Sequence, residues 1–364
     1  MKILHIINSL DTGGAERALL RLAYEDSENS HTIICLKHIG VQGLSVAHDA
    51  FTIVELGVSL KQIWRLIRLP FMIKKFAPDV VQTWMYHSDL IGGVAARMVN
   101  IQNICWGVRG PIDIEATNKT TVFIARCCAS LSHFIPRLII CNSNHAKNQH
   151  ALFGYSAKKL RVVHNGVPEP DIELIREYDL GAKGLRKEIV FGHFARFDPH
   201  KDHDNLLTAL GLLKSSGVTF SCLLAGKDVT YKNKVLVSLI SENKLETEVV
   251  LLGETKNIEQ LYQSIDVCVL SSRSESFPNV IAEAMSYGRL CVSTNVGDAE
   301  KIIGSQGWLC EPQNSAQLCT ALKKATTAFM NKRLWSSMSR SARDHISNYF
   351  SLHRMVKSFH GLWR

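Results

Sequence analysis

Short apolar runs recur along the chain, each closed by polar or glycine-bearing turns. Residues 2–8, 31–36, 51–55, 79–84, 101–107 and 138–141 read as strands in the first half. Residues 188–194, 219–225, 248–252, 266–270 and 290–294 repeat the pattern in the second. These runs are apolar almost throughout, as in strands covered on both faces. Between many of them, apolar residues recur three and four apart, the helical period. Helices are expected at 15–24, on from the junction 85–89 to about 98, and at 119–134, 145–153, 278–287, 315–329, 332–347 and 353–363. Residues 61–76 read as helical with a break near Pro70. Strand, helix, strand in regular alternation gives an α/β fold with parallel sheets.

The alternation stops at 168–186, rich in Pro, Asp, Glu and Gly, and restarts at Glu188. At 364 residues the chain is too long for one ordinary core and suits two, each of ~150–200 residues. The boundary is placed there, giving domains at 1–170 and 171–348.

Composition narrows the class. Hydrophobic content is 46% and charged content 21%, a globular balance. The net charge is +9. Residues 1–170 hold 18 Lys/Arg against 12 Asp/Glu, net +6, and the remainder 24 against 21, net +3. A basic lean suits phosphorylated ligands, anionic lipid or nucleic acid; no nucleic-acid partner is expected. The ten cysteines form no C-x-x-C pair, and Cys35, Cys141, Cys222, Cys268 and Cys291 fall inside strand runs. Buried free thiols and a reducing, cytoplasmic compartment follow. The opening apolar run is strand-length, so no secretory signal is expected. The most apolar long stretch, 121–140, is interrupted by Arg126, His133, Pro136 and Arg137, which argues against a membrane span. Residues 61–76 mix Ile63, Trp64, Ile67 and Phe71 with Lys61, Arg65, Arg68, Lys74 and Lys75. That mixture suits either an interfacial helix or an ordinary amphipathic one, so an anionic membrane surface enters as a partner, at the inner face of the membrane.

Candidate chemistry concentrates in 264–300. A strand leads into a polar loop carrying Glu275, then a helix carrying Glu283, stopped by Gly288. Pro278 suits the first helical position, where its missing N–H costs nothing. The N–H groups of Asn279 and Val280 then face the strand's carboxyl end, an anion site beside carboxylates suited to hydroxyls. Phosphate and polyol together suggest a nucleotide sugar. Strand, Gly13-Gly14, helix is a second phosphate-friendly turn, though a tight turn alone explains it equally. His87 and Arg109 each stand at a strand end, where ligand groups gather in open α/β sheets. A helix cap or core contact is the plain alternative for His87, and a surface ion pair for Arg109.

The run Glu275-Ser276-Phe277-Pro278-Asn279-Val280-Ile281-Ala282-Glu283-Ala284-Met285-Ser286-Tyr287-Gly288 resembles the signature of retaining GT-B glycosyltransferases of family four. Ser276 stands where the family usually has glycine, and Arg289-Leu290 where it has x-Pro. Arg196 and Lys201 match the family's G-R-x4-K motif, with Ala195 for its glycine; Gly13-Gly14-Ala15-Glu16-Arg17 is similar to its first loop. Residues 161–167 and 296–300 also resemble family segments.

The resemblance implies two doubly wound Rossmann-like domains facing across a cleft, with a helix at 349–364 returning to the first. It implies retaining transfer of a hexose, from a UDP-hexose or UDP-N-acetylhexosamine, to a hydroxyl of a lipid-linked or oligosaccharide acceptor in polysaccharide or lipopolysaccharide synthesis. Arg196 and Lys201 would stabilise the departing diphosphate. Glu275 and His87 would hold the sugar, and Glu283 the ribose. Gly13, Gly14, Phe277, Pro278, Asn279, Val280, Gly226 and Gly253 would complete the donor site, with Lys227, Glu254 and Tyr262 near the base. Arg17 and Arg109 would meet the acceptor. Asp202-His203-Asp204 reads as helix capping, so neither metal nor cofactor is expected. An epimerase of the same fold, or an inactive nucleotide-sugar-binding module, are the alternatives.

Overall fold

The computed structural model describes every residue except 12, 41–42, 44–50, 113–117, 171–187 and 256. The chain divides into two compact units: Met1–Gly166 with Leu352–Arg364, and Val167–Ser351. From residue 171 on, the linker expected at 168–186 lies outside the described residues.

The first unit is built on β1 (Lys2–Ile7), β2 (Ser30–Cys35), β3 (Thr52–Glu55), β4 (Val80–Thr83), β5 (Ile104–Val108), β6 (Leu138–Cys141) and β7 (Leu160–Val162). All pairings are parallel, in the order β3-β2-β1-β4-β5-β6-β7. One core joins the sheet to Leu19 and Leu22 of the helix Gly14–Glu25 and to Phe359 and Trp363 of the last helix, Leu352–Trp363. A second core takes Leu69 and Ile73 of Arg68–Phe76, Ala95 and Ala96 of Tyr86–Met98, Cys128 of Lys119–Leu131 and Ala146 of Asn144–Phe153. Burial of a large apolar side chain such as Phe359 stabilises by roughly 1.5–3 kcal/mol, so both layers hold the sheet.

The break expected at Pro70 falls elsewhere. A 3₁₀ stretch, Leu60–Ile67, is kinked at Gln62, and an α-helix starts at Arg68. Pro70 then sits in the first turn, where no intrahelical acceptor awaits its missing N–H.

The second unit uses β8 (Ile189–Phe194), β9 (Phe220–Ala225), β10 (Val249–Gly253), β11 (Val267–Leu270), β12 (Leu290–Thr294) and β13 (Gly307–Cys310). These too are all parallel, in the order β10-β9-β8-β11-β12-β13. The helices Lys234–Glu242 and Ile258–Ser264, and the edge strand β13, are not expected from the apolar pattern. Val235 and Val237 give the first a strand-like composition, and the other two are short. The ten cysteines are free thiols and all but Cys127 are buried.

Each sheet reverses its order once, between β1 and β4 and between β8 and β11. There, neighbouring strands send their connections to opposite faces and leave a crevice at their carboxyl ends. The loops after β1 and β4, and after β8 and β11, carry most of the residues singled out by sequence.

Candidate active site

In the second unit, β8 runs into the turn bearing Arg196 and Lys201, and β11 into the loop bearing Glu275. Lys201 Nζ lies 2.5 Å from Glu275 Oε1, and Ser272 Oγ donates to the same oxygen at 2.9 Å. Glu275 Oε2 has no partner among the described residues. The sequence places a cation and a carboxylate 74 positions apart; parallel pairing of β8 with β11 brings them together.

Arg196 does not share that carboxylate. Its Nε donates to Asp198 Oδ2 at 3.0 Å, and its side chain is 60% exposed. Asp198 also accepts from the His200 N–H at 2.9 Å, capping the short 3₁₀ turn Pro199–Lys201. Partial burial pushes the Asp198 carboxyl up, but the His200 N–H and Arg196 outweigh it and hold it below its ordinary value. Asp202, expected to cap the next helix, does not do so with its side chain. It adopts a left-handed φ of 51°, and its Oδ1 accepts from Arg273 Nη2 at 2.8 Å. Asp202 is still the N-cap residue of His203–Ser215, with Asp204 in its first turn, so the helix start falls where the sequence places it, while Asp198 caps the separate 3₁₀ turn before it.

The helix after the Glu275 loop spans Asn279–Ser286. Pro278 stands one position before the expected place, as N-cap, and no side chain caps the helix start. Chain reversal at its end uses Gly288, with φ 71°: the Gly288 N–H donates to Met285 O and the Arg289 N–H to Ala284 O. This is the left-handed ending that favours glycine. Glu283 is buried, and Tyr262 Oη donates to its Oε2 at 2.8 Å. Tyr262, expected near the base, thus holds the Glu283 carboxylate; its ring stacks on Tyr287 with centroids 5.5 Å apart.

Ser276 has no positive φ, so its backbone does not require the family's glycine. The close approach is made from the other side. A Cβ on Gly297, whose φ is 59°, would lie 2.3 Å from Ser276 O. Phe277 is buried and packs against Phe350 with ring centroids 5.7 Å apart. Gly226 ends β9 against the Arg196 turn, where an added Cβ would lie 2.2 Å from Ala195 O. The Gly226 N–H donates to Gly253 O at 2.8 Å, and Lys227 O accepts from the Phe197 N–H at 2.8 Å. These residues shape the loop edges through backbone contacts.

In the first unit, Gly13 precedes the helix as N-cap and Gly14 opens it. Glu16 folds back over this turn: a Cβ on Gly13 would lie 2.1 Å from Glu16 Oε2. Burial raises the Glu16 carboxyl. A carboxylate therefore already serves the helix start that the sequence offers to phosphate. Arg17 is exposed one residue on.

His87 is half-buried in the first turn of Tyr86–Met98. Burial and then Lys37 lower its pKa, favouring the neutral, hydrogen-bonding imidazole. The turn before it is strained: Met85 takes φ 73°, ψ 155°, a region natural to glycine. Asp89, in the first turn of the same helix, ties it to β4 and β5. Its Oδ1 accepts from Thr83 Oγ1 at 2.5 Å and from the Gly107 N–H at 3.1 Å.

Arg109 is not the surface residue the sequence allows. It is buried, its guanidinium 4.2 Å over the Trp84 ring, with Nη1 donating to Asn165 Oδ1 at 3.1 Å. Burial lowers its pKa to about 10. Among the described residues, no cluster of His, Cys, Asp and Glu has the makings of a metal site.

Residues 12–169 match Glycosyltransferase Family 4, and residues 188–327 match Glycosyl transferases group 1. The chain belongs to glycosyltransferase family 4. Its relatives in this family include the Escherichia coli UDP-Gal:alpha-D-GlcNAc-diphosphoundecaprenol alpha-1,3-galactosyltransferase, 25% identical over 321 residues, covering 84% of this chain and 80% of that one. The fold is similar to that of Anabaena Alr3699/HepE in complex with UDP, with a TM-score of 0.82, 21% identity and 99% of each chain covered. Sucrose-phosphate synthase from Thermosynechococcus elongatus has a TM-score of 0.81 at 15% identity, covering 100% of this chain and 98% of that one. The two doubly wound units give this chain the GT-B fold of these neighbours, and the Lys201–Glu275 pair lies within the group 1 match.

Proposed function

We propose that this glycosyltransferase moves a hexose or N-acetylhexosamine, with retention, from a UDP-sugar to a hydroxyl of a lipid-linked or oligosaccharide acceptor in polysaccharide or lipopolysaccharide synthesis. The observation that carries the reading is the Lys201–Glu275 pair at the β8/β11 switch point. It sets a cation for a departing diphosphate beside a carboxylate for sugar hydroxyls. The name of the Escherichia coli relative supports the UDP-sugar and the lipid diphosphate acceptor.

In this mechanism the bond from the anomeric carbon to the β-phosphate oxygen breaks. Lys201 and Arg196 stabilise the charge left on the diphosphate. The acceptor oxygen bonds to the same face, and its proton passes to the departing phosphate. Glu275 Oε1 is held by Lys201 and Ser272, so Glu275 orients hydroxyls through Oε2 rather than attacking carbon. Glu283, fixed by Tyr262, takes the ribose. The backbone of Phe277, Pro278, Asn279 and Val280 lines the donor, and His87 supports the sugar as a neutral donor or acceptor. Arg17 meets the acceptor. The two cations do the work a metal does elsewhere, so no metal is required.

We also place the enzyme on an anionic membrane, at its cytoplasmic face. Residues 57–168 hold 14 Lys/Arg against four Asp/Glu, leaving 28 against 29 elsewhere. The whole positive surplus thus lies in this stretch, nearly all of it in the first unit. There Ile63, Trp64, Ile67 and Phe71 are between 58% and 71% exposed, beside exposed Arg68, Lys74 and Lys75. Apolar side chains framed by cations suit a headgroup layer. Among the described residues no helix is long and apolar enough to cross a membrane.

The test is UDP release from UDP-glucose, UDP-galactose and UDP-N-acetylglucosamine, with and without an undecaprenyl-diphosphate sugar. Acceptor-stimulated release and an α-linked product are expected. An isomerised donor with no UDP released would make the protein an epimerase instead. Flotation with anionic but not zwitterionic vesicles, lost on neutralising Arg68, Lys74 and Lys75, tests the membrane reading; equal binding to both vesicles refutes it.

A further inference from the structure

Next to the site, β8 carries a fully buried histidine. His193 is 1% exposed, and its Nε2 lies 3.2 Å from Oγ of Ser271, the first residue after β11. Ser271 Oγ donates in turn to the main-chain oxygen of Lys201 at 2.7 Å. A carbonyl only accepts, so the one hydroxyl proton of Ser271 is committed to Lys201. Ser271 must then accept from His193, which fixes the proton on Nε2. Burial, and next the adjacent His203, hold the His193 imidazole well below its ordinary pKa. The neutral ring that this relay requires is therefore the stable form. His203 packs edge-on against it, ring centroids 4.7 Å apart.

The relay ties three separate pieces of chain: the end of β8, the loop after β11, and the Lys201 turn. Two further bonds run the same way. The Arg273 N–H donates to His200 O at 2.8 Å, and Arg273 Nη2 to Asp202 Oδ1 at 2.8 Å. Asp202, next to Lys201, has a left-handed φ of 51°. Such a conformation in a non-glycine residue persists only when its surroundings hold it.

The geometry points to His193 and Ser271 as positioning residues for Lys201: they fix the height of its main chain, so that Nζ meets both Glu275 and the diphosphate. This rests on the reading of Lys201 as a diphosphate cation. Neither residue touches substrate; each acts through the Lys201 carbonyl.

The experiment is a double-mutant cycle on the full chain. It follows UDP release from whichever of UDP-glucose, UDP-galactose and UDP-N-acetylglucosamine is turned over. Ser271→Ala and His193→Leu should each lower kcat about tenfold, as expected for one lost positioning hydrogen bond, with KM for the UDP-sugar nearly unchanged. His193→Gln, which keeps a donor near Nε2, should restore most of the rate. Placed on Lys201→Ala, neither substitution should cost anything more. Full additivity with Lys201→Ala, or no rescue by His193→Gln at matched melting temperature, overturns the positioning role. If Lys201→Ala alone leaves turnover intact, the diphosphate reading of Lys201 fails, and the relay's catalytic role with it.

Discussion

Replacing Lys201 with alanine separates charge chemistry from folding. The Lys201 and Glu275 side chains are 22% and 16% exposed, so water screens their attraction only in part. A preorganised charge aimed at a developing oxyanion is worth about 2.7–4 kcal/mol, or roughly 10²–10³ in kcat. The stability cost is smaller. A screened pair contributes ~0–1 kcal/mol and a broken buried pair costs ~3–5 kcal/mol. Ser272 still donates to Glu275 after the substitution, so about 1–2 kcal/mol is expected, a melting shift of a few degrees. Arg196, 60% exposed and held only by Asp198, must move and order itself on the diphosphate. Its removal should cost kcat only about tenfold. Steady-state UDP release and thermal unfolding of wild type, Lys201→Ala and Arg196→Ala measure both quantities. Lys201→Ala within about threefold of wild-type kcat, or Arg196→Ala the more damaging of the two, refutes the assignment.

Tyr262→Phe removes the hydroxyl that holds Glu283, a bond to a carboxylate of about 1.5–3 kcal/mol. KM for the UDP-sugar should rise roughly five- to tenfold with kcat little changed, and calorimetry with UDP should show the same loss; an unchanged KM would detach Tyr262 from the donor. Asp89 predicts a pH slope. Burial raises its carboxyl from 3.8 to about 8, so the folded state holds a proton that the unfolded state releases. Its contribution is fully present below about pH 4 and is lost as pH rises to about 8. Denaturant unfolding should show stability of the first unit falling across that window, and Asp89→Asn should flatten the fall; equal slopes in the two proteins would contradict the burial argument.

Much of this fold is legible in the sequence. Buried strands announce themselves because β-runs such as Leu290–Thr294 are apolar on both faces, and that strand matches its expected bounds. Glu275 and Glu283 stood out as carboxylates flanking a helix start at a strand's carboxyl end, whereas Arg196 and Lys201 stood out only through their match to the family's G-R-x4-K motif. Partners were not legible. Nothing local says that Lys201 meets Glu275 while Arg196 meets Asp198, because sheet order decides it. Nor does sequence say that Asp202, at the N-cap position of His203–Ser215, turns its carboxylate to Arg273 rather than to the helix it opens. Arg109 shows the opposite failure. A lone arginine at a strand end reads as exposed, and only the packing of Trp84 and Phe359 makes it a core residue. His193 and Ser271 had no signal of their own, being one more polar residue in an apolar strand and one serine among several.

The closing helix alters how the protein is made. Leu352, Met355, Val356, Phe359 and Trp363 belong to a core whose other members come from the first 163 residues. Trp363 Nε1 donates to Gln82 Oε1 at 3.3 Å, and Asn103 Nδ2 to the Trp363 carbonyl at 2.8 Å. On the ribosome, the unit translated first therefore waits with an open flank while everything after it is synthesised. The later unit can complete its own core before the earlier one does. A stop codon placed at Leu352, or any change that displaces Leu352–Trp363, would damage the unit made first rather than the one made after it.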